Sequence, residues 1–280
     1  MPDKDPMFLR KRLSAALQTA RAGSGYSQLE VAEAMVWSLS KLMRVESGKV
    51  KISITDLRAL IDHYGVPEAE AAELIQIAQE ARRPPWWHEY RSLLSEGFQS
   101  YLGYEASALV IRNFEATLIP GLLQTEEYAR AVLQQSVVPQ KDELLELRMR
   151  RQERLIETPS GVNLFFLIDE SAMRRVVGSE AVMRAQHARL IELNKLPYVS
   201  VKVVPFSRGL YPLLRSPYVI FDFPDPTQDR VVYLENPDGS VILSDKASVG
   251  VQRSIEDYLE AFWEVESRFS EFVSDAHGFV

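Results

Sequence analysis

Cysteine is absent from the 280 residues. That excludes a disulfide framework, a thiolate metal site and a cysteine nucleophile. The four histidines, His63, His88, His187 and His277, are scattered without metal-ligand spacing, so no metal is expected. Long apolar runs are missing too, since the longest, Leu164 to Ile168, is far too short to span a bilayer. The opening MPDKDPMFLRKRL puts charges where a secretory signal needs an apolar segment, so a soluble cytoplasmic protein is expected. No GxxxxGK[ST], GxGxxG or GxSxG occurs, which removes the commonest phosphate cradles and the nucleophile elbow. Asp169-Glu170 after a strand fits an acid/base pair or a helix N-cap, and the second reading is the commoner one. No enzyme, catalytic residue or cofactor is therefore expected.

The net charge of −7 is unevenly spread. Residues 1–64 carry ten Lys/Arg and seven Asp/Glu, a balance of +3, and the remainder carries −10. An acidic body behind a mildly basic head suits a protein that meets a polyanion through the head alone.

The head holds the most informative stretch, SQLEVAEAMVWSLSKLMRVESG, from Ser27 to Gly48. Ser27 and Glu30 form a capping box, and Leu29, Val31, Ala32 and Met35 follow a 3.6-residue period. Ser38 is a natural N-cap for a second helix with Leu42 and Val45 inside and Ser40, Lys41 and Arg44 outside. Gly48 ends it. Two short helices around a tight turn, the second rich in hydroxyls and bases, spell a helix-turn-helix. In the major groove, Leu39, Ser40, Lys41 and Arg44 would face base edges, Arg44 and Lys41 as guanine donors and Leu39 on a thymine methyl. Gln28, Ser38, Lys49 and Lys51 would hold phosphates and set the register. Double-stranded DNA is thus the expected partner. A single mildly basic head binds modestly, so a homodimer is expected, its recognition helices about one helical turn, roughly 34 Å, apart.

The residues S-Q-x-x-x-A from Ser27 and W-S-x-S-K-x-x-R-x-E-S-G from Trp37 resemble the XRE, or lambda-repressor-like, helix-turn-helix family. The resemblance covers residues 8–64 and implies a five-helix domain whose second and third helices form the motif. Val36 departs from it, standing where the family carries glycine or a small polar residue. A β-branched residue at positive φ costs roughly 1–3 kcal/mol, so either the turn is altered or stability is lost.

Phe8–Ala22 reads as a preceding amphipathic helix, and Ser53 with Asp56 opens another that stops at Gly65. Glu68–Ala81 completes the domain, residues 1–81. Arg82-Arg83-Pro84-Pro85 begins a stiff linker, residues 82–97, that contains Trp86-Trp87-His88. Those three form either an aromatic wall for a ligand or partner, or an anchor for the linker. Residues 98–280 mix both element types, which predicts an α+β domain. Ala106–Ala116 reads as a strand or a short helix, Thr125–Gln135 as a capped helix, and Lys141–Thr158 as a charged helix. Strands are expected at Val162–Ile168, Val199–Val204, Tyr218–Phe223 and Val231–Glu235, and helices at Ser179–Leu196 and Asp245–Phe272. The arginines between Arg148 and Arg154 could hold an anion, but their spacing from Glu146, Glu153 and Glu157 favours a salt-bridged helix face.

Ile119–Ala129 (IPGLLQTEEYA), Arg148–Glu153 (RMRRQE), Asp169–Ala172 (DESA) and Val203–Phe206 (VVPF) resemble a domain of unknown function. It is found fused to XRE heads in regulators of high-GC filamentous bacteria, and Trp86-Trp87-His88 fits the same family. The resemblance implies an antitoxin-like transcriptional regulator encoded beside a small acidic partner protein. The expected function is a dimeric, sequence-specific regulator whose C-terminal domain dimerises and senses a small-molecule effector or a protein. The alternative is an interaction module that sequesters the small acidic partner and only autoregulates its own locus.

Overall fold

The computed structural model describes every residue except 1–4, 49, 158–160, 216, 225–229, 237–238, 245–254, 269–270 and 273–280. The chain divides into two compact units, residues 3–88 and residues 89–280. The first is all-α, and the second is α+β.

The first unit holds five helices among the described residues: α1 (Pro6–Ser24), α2 (Gln28–Ala34), α3 (Leu39–Glu46), α4 (Ile54–His63) and α5 (Glu68–Glu80). Their starts are written locally in the sequence. Ser27, Ser38 and Ser53 each accept a hydrogen bond from the backbone three residues on, and Glu30 closes the reciprocal box at Ser27. One core joins Leu9, Leu13 and Leu17 of α1 to Val31, Leu42, Leu57 and Leu60. Ala32 is buried where α2 and α3 meet, as a close approach requires, whereas Leu29, expected on the apolar side, is exposed.

Three of these helices end alike. At the end of α4, Gly65 N–H donates to Asp62 O and Val66 N–H to Ile61 O, with Gly65 at positive φ. At the end of α3, Gly48 is left-handed and donates to Val45 O. Between α2 and α3 the same pair of hydrogen bonds forms, Val36 N–H to Glu33 O at 3.0 Å and Trp37 N–H to Ala32 O at 2.8 Å. There the left-handed residue is Val36, at φ 56° and 92% exposed. The turn is therefore the ordinary one, and the β-branched residue bears the strain. Its side chain packs on almost nothing. Val36→Gly is expected to raise stability by about 1 kcal/mol, the relieved strain exceeding the extra chain entropy of glycine. Urea midpoints of the two proteins check this, and a lower midpoint for the glycine variant would contradict it.

The second unit runs α6 (Glu96–Ser107), β1 (Val110–Glu115), α7 (Glu126–Gln135), α8 (Lys141–Gln152), β2 (Asn163–Asp169), α9 (Glu170–Arg174) and α10 (Glu180–Leu193). Then follow β3 (Val199–Val204), β4 (Tyr218–Asp222), β5 (Val231–Asn236), β6 (Gly239–Ser244), α11 (Ile255–Arg268) and β7 (Glu271–Phe272). The strands form one sheet in the order β6-β5-β4-β1-β2-β3-β7. The pairs β1–β2 and β2–β3 are parallel, joined by helical crossovers, and the remaining pairs are antiparallel. Val199, Val201 and Val203 are buried together on β3. On one face Phe114, Leu167, Ile220 and Val232 pack with Ile255, Tyr258 and Phe262 of α11.

Three expectations change here. Ala106–Ala116 is the end of α6 followed by β1, so it is both a helix and a strand. The charged helix from Lys141 ends at Gln152 and continues to Glu157 as a wider π turn. The long closing helix is shorter: α11 spans Ile255–Arg268, and Glu271–Phe272 pairs antiparallel with β3, where extended backbone completes the sheet edge. Residues 245–254 of that expectation lie outside the described residues.

The quoted motifs meet through side-chain amides. Gln124 Nε2 donates to Ile119 O at 2.7 Å, Gln152 Nε2 to Gly121 O and Gln124 O, and Gln186 Nε2 to Leu123 O. Tyr128 OH accepts from Ile119 N–H. The loop from Ile119 to Thr125 has few backbone partners of its own, and these amides supply them. Asp169 caps α9 by accepting from Ser171 N–H, and Glu170 accepts from Phe206 N–H at 2.6 Å. The Asp169-Glu170 pair is thus a cap and a brace.

Candidate nucleic-acid interface and an internal cavity

Helix α3 buries Leu42, Val45 and Glu46 and turns Ser38, Leu39, Ser40, Met43 and Arg44 outward. This follows from helical spacing, because positions 40, 43, 44 and 47 share the side opposite 42 and 45. Among the described residues the Arg44 guanidinium has no side-chain partner, which leaves its fork open to a planar acceptor pair. Leu39 and Met43 are 40% and 50% exposed, one turn apart. Met43 is absent from the sequence reading, although it lies four residues after Leu39.

Lys41, expected on the outside, is half-buried: its Nζ lies 3.1 Å from Asp56 Oδ2 on α4 and 3.7 Å from the centroid of the Trp37 ring. An ammonium held by a carboxylate and an aromatic face braces α3 against α4. To reach a base it would have to leave both. Gln28 is likewise engaged, since its Nε2 donates to Glu46 Oε2 at 2.7 Å. Lys51 is exposed, and Lys49 lies outside the described residues. Arg58, exposed on α4, adds a cation that the sequence reading did not name.

Glu46, 1% exposed, organises the arrangement from within. Its carboxylate accepts from Arg21 Nε at 2.7 Å and from Gln28, with Tyr64 OH at 3.5 Å, and its carbonyl accepts from Ser14 and Gln18. Helices α1 and α2 and the end of α4 are thereby tied to α3. Burial, followed by the Glu46 charge, pushes the Tyr64 phenol well above its usual range.

Trp86 is half-buried, Trp87 is buried, and His88 is exposed at the start of a short 3-10 helix ending at Leu93. The second unit contains a cavity of about 730 Å³, and these three residues are not among its lining. It lies at the carboxyl end of β1, between that strand, the 117–124 loop, α7, α8 and β5. Its aromatic surface is Phe98, Tyr101, Tyr218 and Tyr233. Arg148 and Arg151 of α8 line it, and the arginines of α8 find partners beyond their own helix. Arg151 pairs with Glu105 through Nε at 2.9 Å and Nη2 at 2.6 Å, both side chains buried. Arg150 reaches Glu89 and Tyr90. Arg148 donates to Gln124 Oε1 and has no carboxylate within ion-pair distance among the described residues. Burial, then the neighbouring Arg151, pushes Arg148 down to about 10.

Glu115, the last residue of β1, also lines the cavity. Burial first, and Glu235 second, push its carboxyl up to about 7 from the usual 4.5, while Asn113 opposes by hydrogen bonding. A carboxyl whose folded pKa is raised is protonated preferentially in the native state. Its cost is absent below the unfolded value, grows as pH rises, and is complete above about 7. Glu115→Gln is therefore expected to stabilise the protein by about 3 kcal/mol at pH 8 and to change nothing at pH 4. Urea denaturation at both pH values checks this, and equal shifts at the two would contradict it.

No helix among the described residues is long and apolar enough to cross a membrane. Among the same residues no group of histidine, aspartate and glutamate side chains could hold a metal ion. Residues 12–74 match the model of a helix-turn-helix domain, and residues 98–264 match that of a domain of unknown function, DUF5753. Neither the curated proteins nor the solved structures gave a match. The second match spans more than half of the chain and takes in strands β1 to β6, their crossover helices and most of the cavity lining, so the chain belongs to the DUF5753 family, with a helix-turn-helix domain ahead of that domain.

Proposed function

We propose that the chain is a sequence-specific DNA-binding transcriptional regulator that acts in the cytoplasm as a homodimer. The observation that carries this reading is the outer face of α3, where Ser40, Met43 and Arg44, whose guanidinium has no side-chain partner among the described residues, stand on a helix anchored from beneath by Glu46. Arg44 would donate to guanine O6 and N7, Leu39 and Met43 would meet thymine methyls, and Ser40 would bond a base or a phosphate. Lys51 and Arg58 would neutralise phosphates, and the acidic remainder of the chain would stay off the duplex. Two heads would read half-sites about 10 base pairs apart. The C-terminal unit would hold the dimer and respond to an effector, shifting operator affinity by a coupling of about 1–3 kcal/mol. This reading assigns the chain no catalytic step.

Selection from a randomised duplex library, with the mass of the resulting complex, tests it. A two-fold symmetric site bound by two chains is expected. A single unrepeated half-site bound by one chain would contradict the dimer. Purification from the native host addresses the antitoxin-like reading: a stoichiometric small acidic protein would favour it. The excess of negative charge over residues 65–280 disfavours such a partner, because like charges repel at an interface.

A further inference from the structure

The cavity beside β1 combines an apolar wall with a guanidinium that has no carboxylate in ion-pair range among the described residues. Leu118, Leu122, Val132, Leu133 and Leu144 supply the wall. Arg151, the other guanidinium lining it, is closed by Glu105 through two bonds and has no charge to offer. Arg148 is different: it spends one bond on Gln124, which is itself fixed to Ile119 O, and its remaining donors have no acceptor among the described residues. A largely buried guanidinium with no carboxylate in ion-pair range among the described residues is costly, since Glu235 offsets its charge only from a distance, and a bound anion lowers that cost. The volume, about 730 Å³, lies in the range of small-molecule pockets.

We propose that this cavity binds an amphipathic monocarboxylate, its carboxylate on Arg148 and its apolar body against the leucine and valine wall between α7 and α8. The charge count selects this class. A phosphate or dicarboxylate would bring two negative charges to one free guanidinium with Glu115 and Glu235 also on the lining. An alkylammonium would meet Arg148 itself. A neutral alcohol would leave the guanidinium uncompensated. Tyr101 and Phe98, which already lie under the Arg151 guanidinium, close the far side with ring faces suited to an apolar body.

The proposal deepens the reading of the C-terminal unit as a sensor and rests on it only for its consequence at DNA. The test uses the full chain with decanoate, decanol and decylamine as probes, in calorimetric titrations at pH 7.5. One decanoate per chain is expected, bound at least tenfold more tightly than either other probe. Arg148→Met should abolish that preference, and Arg148→Lys should restore part of it. Leu144→Trp, which fills the wall without changing charge, should weaken decanoate and decanol alike. Thermal melts of each variant show whether it folds, and the lysine variant keeps the test decisive if the methionine variant does not. Equal binding of decanoate and decanol, preference for decylamine, or no saturable binding of decanoate would overturn the assignment. A separate titration against DNA distinguishes the two claims. Decanoate that binds through Arg148 without altering DNA affinity supports the site and removes the sensor. An extracted native ligand without a carboxylate, which nonetheless alters DNA affinity, overturns the site and leaves the sensor.

Discussion

Glu105→Ala is expected to cost the C-terminal unit about 3–5 kcal/mol, because it strands a buried guanidinium. Glu105 and Arg151 are both almost inaccessible, they bond twice, and Tyr101 OH accepts a third hydrogen bond from Arg151 at 3.3 Å. Burial alone would lower the pKa of Arg151, and the Glu105 carboxylate reverses this and raises it. The pair joins α6 to α8 across 46 positions of sequence. Replacing both partners with apolar residues of similar volume, Glu105→Leu with Arg151→Met, should recover most of the loss, since no charge is left unpaired. Hydrogen exchange of residues 96–115 in urea reads the effect locally. A single replacement that costs under about 1 kcal/mol would mean that water reaches the pair.

The second large effect lies at Glu46. Glu46→Ala removes the acceptor for Arg21 and Gln28 and leaves a cavity under α3, with an expected loss of about 2–4 kcal/mol. Arg21 is partly exposed and can turn to water, which holds the value below that for Glu105. Glu46→Gln keeps an acceptor for the guanidinium and should lose about half as much. DNA affinity should fall further than stability in the alanine variant, because the orientation of the recognition helix depends on these bonds. Hydrogen exchange over residues 28–63 together with a DNA titration checks both parts. Unchanged DNA affinity in a folded alanine variant would show that α3 is oriented by its apolar side alone.

What could be read in the sequence was what acts over three or four residues. The caps at Ser27, Ser38, Ser53, Thr125 and Asp169 bond to backbone within the next turn, so each was visible as spacing. The strained turn at Val36 was visible for the same reason, because a helix that ends there needs a left-handed residue whatever surrounds it. What spacing hides is a partner far along the chain. Lys41 was read as free because Asp56 is fifteen residues away. The arginines of α8 were paired with carboxylates on their own helix, whereas Glu105 and Glu89 lie 46 and 61 residues off. Strand β6 was overlooked despite a turn signal in the sequence, Asn236-Pro237-Asp238-Gly239, that runs from the last residue of β5 to the first of β6. The cavity was illegible altogether, since it exists only once β1, α7 and α8 have packed.

On the proposed function, the outer face of α3 reads bases through Arg44. Its most direct test is a fluorescence anisotropy titration of the full chain and of Arg44→Ala, each on the selected duplex and on random duplex, at low and moderate salt. The alanine variant is expected to lose about 1–3 kcal/mol on the selected duplex and far less on random duplex, with both affinities falling steeply as salt rises. An equal loss on the two duplexes, or none on either, would contradict it.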